Sequence, residues 1–290
     1  MRFYTLLEDG RELPAMSADG GKTIYTLQSL GYDYTDMNDV ILRMPESERL
    51  HPIIGEGAEP VKNPVLLAPI PRPRQDVICL GINYDEHAKE AGRFSSEAFG
   101  GERPYTIYFS KRVSRAPGTG ETIPAYTGLV DSLDYEAELG VVLKDDVLNI
   151  DAAEAEKHIF GYMVINDISA RNLQTRHKQW YLGKSLDGFT PMGPCIVTPD
   201  ETGDAGQLNI SCTVNGEVRQ SSNTRFMIQT TAGAIAELSA GMTLQAGTII
   251  ATGTPAGVGM GMTPPTFLKP GDRVVCEIEH IGRLENTIGE

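Results

Sequence analysis

Leu133-Asp134-Tyr135-Glu136-Ala137-Glu138-Leu139-Gly140-Val141-Val142 is the stretch on which the reading of this 290-residue chain turns. Its apolar end, Leu139 to Val142, predicts a β-strand, and a strand sets Glu136 and Glu138, two positions apart, side by side on one face. Two ionised carboxylates that close repel each other. A folded protein therefore leaves them in water, protonates one, or places a cation between them. A solvated strand face and a cation site both satisfy this pattern.

Outward from this stretch, short β-rich runs dominate: Thr106 to Phe109, Glu138 to Leu143, Gly161 to Ile165, Cys195 to Thr198, Leu208 to Val214, Thr248 to Thr252 and Arg273 to Ile278. Turns such as Asn215-Gly216 separate them, and helices are fewer, with Ala152 to His158 and Thr230 to Leu238 the clearest. The spacing predicts a β-rich α+β fold, a sandwich or roll rather than a doubly wound parallel sheet. Toward the N-terminus, the strand Asp76 to Gly81 feeds a helix within Asn83 to Gly92. The segment from Asp85 to Pro104 carries Gly92, Gly100 and Gly101 and few bulky apolar residues, chiefly Phe94 and Phe99. It is expected to be a mobile lid that closes over bound substrate. The cluster Pro64, Pro69, Pro71, Pro73 reads as a linker, dividing the chain into a small N-terminal α/β domain, residues 1–68, and a larger catalytic domain, residues 69–290.

Composition narrows the function. Hydrophobic residues make up 40% of the chain, about 47% once Gly is counted in and Tyr out, which is the globular range, and 25 Lys and Arg against 39 Asp and Glu give a net charge of −14. A surface that negative repels phosphate backbones and anionic lipid, so neither nucleic acid nor a membrane is expected as a partner. The N-terminus turns acidic at Glu8-Asp9 before any apolar run resembling a secretion signal, and Cys79, Cys195, Cys212 and Cys276 are scattered without a C-x-x-C pair. Free thiols and a cytoplasmic location are expected.

A third acid joins the pair. Asp167 follows the apolar run Gly161 to Ile165, in Asn166-Asp167-Ile168-Ser169-Ala170-Arg171, and reads either as a turn or as a ligand at a strand's C-terminal edge. If it converges with Glu136 and Glu138, three oxygen donors suit a hard cation with positions left for water or substrate. His87 and Glu90, three apart on the predicted helix, share a face; they form either a routine surface contact or a base with its orienting carboxylate. Gly183-Lys184-Ser185 is not the end of a phosphate loop, because Lys178 stands where the first glycine is required.

Together these residues resemble the fumarylacetoacetate hydrolase family. The similarity runs through Gly81-Ile82-Asn83-Tyr84, His87-Ala88-Lys89-Glu90, Asp134-Tyr135-Glu136-Ala137-Glu138-Leu139, Asn166 to Arg171, Gly183 to Asp187, Asn215-Gly216-Glu217, Gly253-Thr254-Pro255 and Lys269-Pro270-Gly271-Asp272. It spans about residues 64 to 288, and residues 1 to 63 resemble the small N-terminal domain of bacterial members. The resemblance implies a mixed β-sandwich roll and assigns Glu136, Glu138 and Asp167 to a divalent metal, magnesium or manganese, with calcium able to occupy the site in crystals. By the same similarity His87 and Glu90 match a water-activating dyad on the lid, and Lys184 faces the substrate's developing negative charge. Gln174 and Thr254 match substrate contacts, and Arg171 supports the site from behind. Asn172 departs from the family's usual Asp and removes a charge near the metal. The implied protein is a homodimeric enzyme acting on a small 2-oxo acid. Hydrolytic C–C cleavage of an acylpyruvate leads, with oxaloacetate-type decarboxylation, hydration or isomerisation as the alternative.

Overall fold

The computed structural model describes every residue except His51, Ile53, Glu56 and residues 100–104. Its main element is a nine-stranded mixed sheet in the order Tyr25–Thr26, Arg11–Ser17, Arg2–Glu8, Met192–Val197, Ile159–Asn166, Ala137–Leu143, Ile249–Ala251, Val77–Gly81 and Ile107–Lys111. A second sheet packs on it in the order Glu217–Asn223, Asn209–Val214, Arg273–Ile278, Gly282–Ile288 and Thr122–Ile123. A two-stranded ribbon, Leu133–Asp134 with Ser169–Ala170, stands beside the site.

The two central strands explain the layering. Every residue of Ala137–Leu143 and of Ile159–Asn166 is buried, which is why both read as near-continuous apolar runs rather than as alternation. Leu139, Val141 and Leu143 face Ile210, Cys212, Ile278 and Leu284 of the second sheet. Val142, Met163 and Ile165 point the other way, toward Met37, Val40 and Ile41 on the helix Met37–Arg43. Gly140 is required between the central strands: a Cβ there would lie 2.6 Å from Ile165 Cδ1. Overpacking of that kind typically costs about 1–3 kcal/mol.

The N-terminal hairpin turns on Asp9-Gly10, both with positive φ (49° and 74°), the signature of a tight two-residue turn. Its first strand pairs with Met192–Val197, so residues 2–17 extend the main sheet. All four cysteines are free and buried, and no helix among the described residues is long and apolar enough to cross a membrane.

The predicted strands are present with ends shifted by at most three residues, and Ala152–His158 forms a 3-10 helix. Three longer strands escape the sequence reading, Arg11–Ser17, Glu217–Asn223 and Gly282–Ile288, as do the two-residue strands Tyr25–Thr26, Thr122–Ile123 and Ser169–Ala170. In Arg11–Ser17, Glu217–Asn223 and Gly282–Ile288 the polar residues other than buried Ser17, Gln220 and Asn286 are exposed or partly so, and neither an apolar run nor a clean alternation marks the strands in the sequence.

Candidate active site

Strand register brings the chemistry to one end of the main sheet. Ala137 pairs with Asn166 and Gly140 with Ala251, so the start of one central strand, the end of the other, and the loop beyond Ala251 meet. Glu138 lies in its strand, whereas Glu136 sits one residue before it. That residue is fixed all the same: its N–H donates to Asn166 Oδ1 (3.0 Å) and its carbonyl accepts from Asp167 N–H (2.8 Å). Glu136, Glu138 and Asp167 are buried, and each offers an oxygen within 4.8 Å of the others.

Buried cations surround two of the three acids. Lys184 Nζ donates to Glu136 Oε2 (2.7 Å) and Asp167 Oδ2 (2.6 Å). Lys111, fully buried, donates to Asp167 Oδ1 and to the Ile168 carbonyl. Arg171 Nη2 is ion-paired with Glu136 at 2.7 Å. Glu138 has no cation of its own; its Oε2 accepts only the Gly253 N–H, at 2.8 Å, among the described residues. Burial, then Asp167 and Glu136 beside it, push its carboxyl well above the usual range. For Glu136, burial acts upward, but Lys184 and Arg171 outweigh it and hold the carboxyl low. For Lys184, burial acts downward and the two acids more than compensate, raising the ammonium; for Lys111 burial prevails and lowers it.

The helix Asp85–Phe94, in the segment expected to be a lid, carries His87 and Glu90 inward. His87 and Glu90 are 4% and 6% exposed, with Nδ1 3.3 Å from Glu90 Oε2. Glu90 also accepts from the Gly257 N–H (3.1 Å), which ties the helix to the loop after Thr254. Phe99 is buried against Trp180, and Phe94 packs edge-on to Phe267. The segment is better anchored than its composition suggests, because two aromatic rings find aromatic partners elsewhere in the chain. Residues 100–104 of the expected lid lie outside the described residues.

His87, Glu136, Glu138, Arg171, Gln174, Lys184 and Thr254 line one small cavity of about 20 Å³. Asp167 lies behind Lys184, and Glu90 behind His87. A wider cavity of about 730 Å³ near Tyr84, Arg225 and Phe226 contains none of these groups; size does not mark the chemistry here. Thr254 Oγ1 donates to the Ala137 carbonyl (2.9 Å) and accepts from Gln220 Nε2 (2.7 Å). Asn172 turns away, donating to the Leu129 carbonyl at 3.0 Å, so the charge this chain lacks would not face the acids.

Three structural residues escape the sequence reading. Asp134, fully buried, accepts from Arg171 Nε (2.9 Å), Gly259 N–H (2.7 Å) and Met260 N–H (2.9 Å). Its signal was present, since Asp134, Glu136 and Glu138 continue one spacing of two. Lys111 ends a strand whose other residues are only partly buried, and Gln220 sits in a polar edge strand; neither carries a local signal.

The donor set fits a divalent metal. Four buried acids, Asp134, Glu136, Glu138 and Asp167, face three buried cations, Lys111, Lys184 and Arg171, and the acid without a cation points into the triad. Comparison with known proteins agrees in kind. The family model described as fumarylacetoacetate (FAA) hydrolase C-terminal matches residues 76–289. Oxaloacetate tautomerase YisK of Bacillus subtilis (strain 168) is 46% identical over 224 residues, 77% of this chain and 73% of that protein. The fumarylacetoacetate hydrolase EaFAH from psychrophilic Exiguobacterium antarcticum shares 36% identity and a TM-score of 0.86, covering 100% of this chain and 99% of its own. Maleylpyruvate hydrolase from Sphingobium sp. SYK-6, solved with manganese(II) and pyruvate, shares 26% identity and a TM-score of 0.77 over 100% of both chains. With the family's model spanning most of its length and the family's fold throughout, this chain belongs to the fumarylacetoacetate hydrolase family of enzymes.

Proposed function

We propose that this protein is a divalent-metal-dependent enzyme that forms or protonates the enolate of a small 2-oxo acid, with keto–enol interconversion of oxaloacetate as its reaction. The observation that carries the reading is the convergence of three buried carboxylates, a lysine bridging two of them, and a histidine backed by a glutamate, with Glu136, Glu138, Lys184 and His87 lining one cavity. When bound by Glu136, Glu138 and Asp167, a magnesium or manganese ion supplies the positive charge that stabilises an enolate. Lys184 adds charge at the same place. Glu90 engages Nδ1 of His87 and selects the tautomer in which Nε2 takes the proton from carbon 3 and delivers it to the enolate oxygen, the reverse transfer restoring the ketone. Gln174 and Thr254 orient the acid, and Arg171 holds Glu136 and Gln174 in place. The 46% identity to an oxaloacetate tautomerase supports this choice.

The second reading is hydrolytic C–C cleavage of an acylpyruvate, in which His87 activates water. The dyad and the likeness to two proteins named as hydrolases favour it. The deciding experiment follows oxaloacetate enol by its ultraviolet absorbance and acetylpyruvate by pyruvate release, each with magnesium or excess chelator. Metal-dependent loss of the enol without pyruvate release supports tautomerisation. Pyruvate from acetylpyruvate supports hydrolysis, and no turnover of either rejects both readings.

A further inference from the structure

The small cavity that Glu136 and Glu138 line is lined as well by Phe99 of the lid segment and by Trp180. Beyond it lies an outer groove of about 440 Å³, lined among others by Glu97, Thr175, Arg176 and Lys178. Two residues, Gln174 and Trp180, belong to both linings and so form the partition between them. Gln174 is tied to the site, its Oε1 accepting from buried Arg171 at 3.0 Å. Trp180 is the chain's single tryptophan.

The indole is wedged on three sides. Its ring lies 5.2 Å from Phe109, nearly perpendicular, and 5.7 Å from Phe99 of the lid segment. On the third side Gly81 leaves the room it fills, since any Cβ there would collide with Trp180 Cζ3. Its backbone is equally fixed: Lys184 N–H donates to the Trp180 carbonyl at 3.1 Å, one turn along the helix Tyr181–Lys184. Gly183 in that turn packs so closely on Gln174 that a Cβ would lie 2.7 Å from its Cα. The wall is therefore held at a set distance from the lysine that touches the acids.

We infer that Trp180 is the specificity-determining end wall of the site, restricting substrates to short 2-oxo acids of about oxaloacetate's length by closing the way into the outer groove. The inference rests on the proposed binding of a 2-oxo acid at Glu136, Glu138 and Asp167. Because an apolar wall discriminates by length, one excess methylene against it is worth about tenfold or more in affinity.

The test is calorimetric titration of the full chain, loaded with magnesium, with the unreactive acids pyruvate, 2-oxobutanoate, 2-oxopentanoate and 2-oxohexanoate. Wild type is expected to lose about tenfold or more in affinity between 2-oxobutanoate and 2-oxohexanoate. Trp180→Ala is expected to bind the two within about threefold, or to prefer the longer. Trp180→Phe, which keeps ring packing on Phe99 and Phe109, is expected to fall between them and serves if the alanine variant does not fold. A flat series in wild type overturns the wall. So does an unchanged drop in the variants, or a uniform weakening of all four acids, which would make Trp180 only a seat for Phe99. Failure of wild type to bind any of the four would instead remove the 2-oxo-acid reading, and the wall with it.

Discussion

Asp134→Ala should cost about 3–5 kcal/mol of folding stability, the range for breaking one side of a buried ion pair. The carboxylate is fully buried and accepts four N–H groups: Arg171 Nε at 2.9 Å, Gly259 at 2.7 Å, Met260 at 2.9 Å and Tyr135 at 3.0 Å. Truncation leaves Arg171 with Glu136 as its remaining carboxylate partner and strands backbone donors, each worth about 1–3 kcal/mol if it finds no water. Those terms overlap with the loss of the ion pair, so they set its upper end rather than add to it. Asp134→Asn keeps an acceptor of the same shape and should cost about half as much. Urea unfolding, followed by Trp180 fluorescence and by circular dichroism, reads the difference once the two transitions coincide. A loss below about 1 kcal/mol with an unchanged denaturant slope would refute the view that Asp134 anchors Arg171 and the Gly259–Met260 turn.

His87→Gln should lower turnover by about 10²- to 10⁴-fold while leaving metal affinity intact, as expected for a general base; wild-type turnover would take His87 out of the mechanism. Gly261→Ala should act at a distance on the same pair, because a Cβ at Gly261 would overlap Glu90 Cγ and Cδ. Its turnover should fall toward that of Glu90→Ala, with faster hydrogen exchange in residues 85–94, and normal values of both would show that Glu90 needs no such seat. Hydrogen exchange across residues 85–99 should slow when oxalate joins magnesium, since contacts to the bound acid would add to the two aromatic pairs and the Glu90–Gly257 hydrogen bond that hold the lid. Equal, strong protection with and without oxalate would mean a preformed site.

Much of the fold was legible because its central strands are buried on both faces and carry unbroken apolar runs, as in Ile159–Asn166. The edge strand Glu217–Asn223 was not, since a ladder there depends on its neighbour Asn209–Val214 rather than on local pattern. The acids and the dyad carried spacing signals, two for Glu136 and Glu138 and three for His87 and Glu90, and the structure sets Glu136, Glu138 and His87 around one cavity with Glu90 behind His87. What spacing cannot convey is which distant side chain reaches a given carboxylate. Lys111 meets Asp167 from a strand 56 residues earlier, and Gln220 holds Thr254 from the second sheet. Trp180 likewise becomes a wall only because Gly81, far away in the chain, leaves room for its ring.

The central claim is that Glu136, Glu138 and Asp167 hold one divalent ion, and Glu138→Gln tests it most directly because Glu138 is the acid without a cation partner among the described residues. Manganese or magnesium should be titrated calorimetrically into chelator-treated wild type and variant, with circular dichroism confirming that both are folded. One ion per chain in wild type, and affinity weaker by about 100-fold or more in Glu138→Gln, is the predicted result. Equal affinity in the two proteins, or no ion bound by wild type, would contradict it.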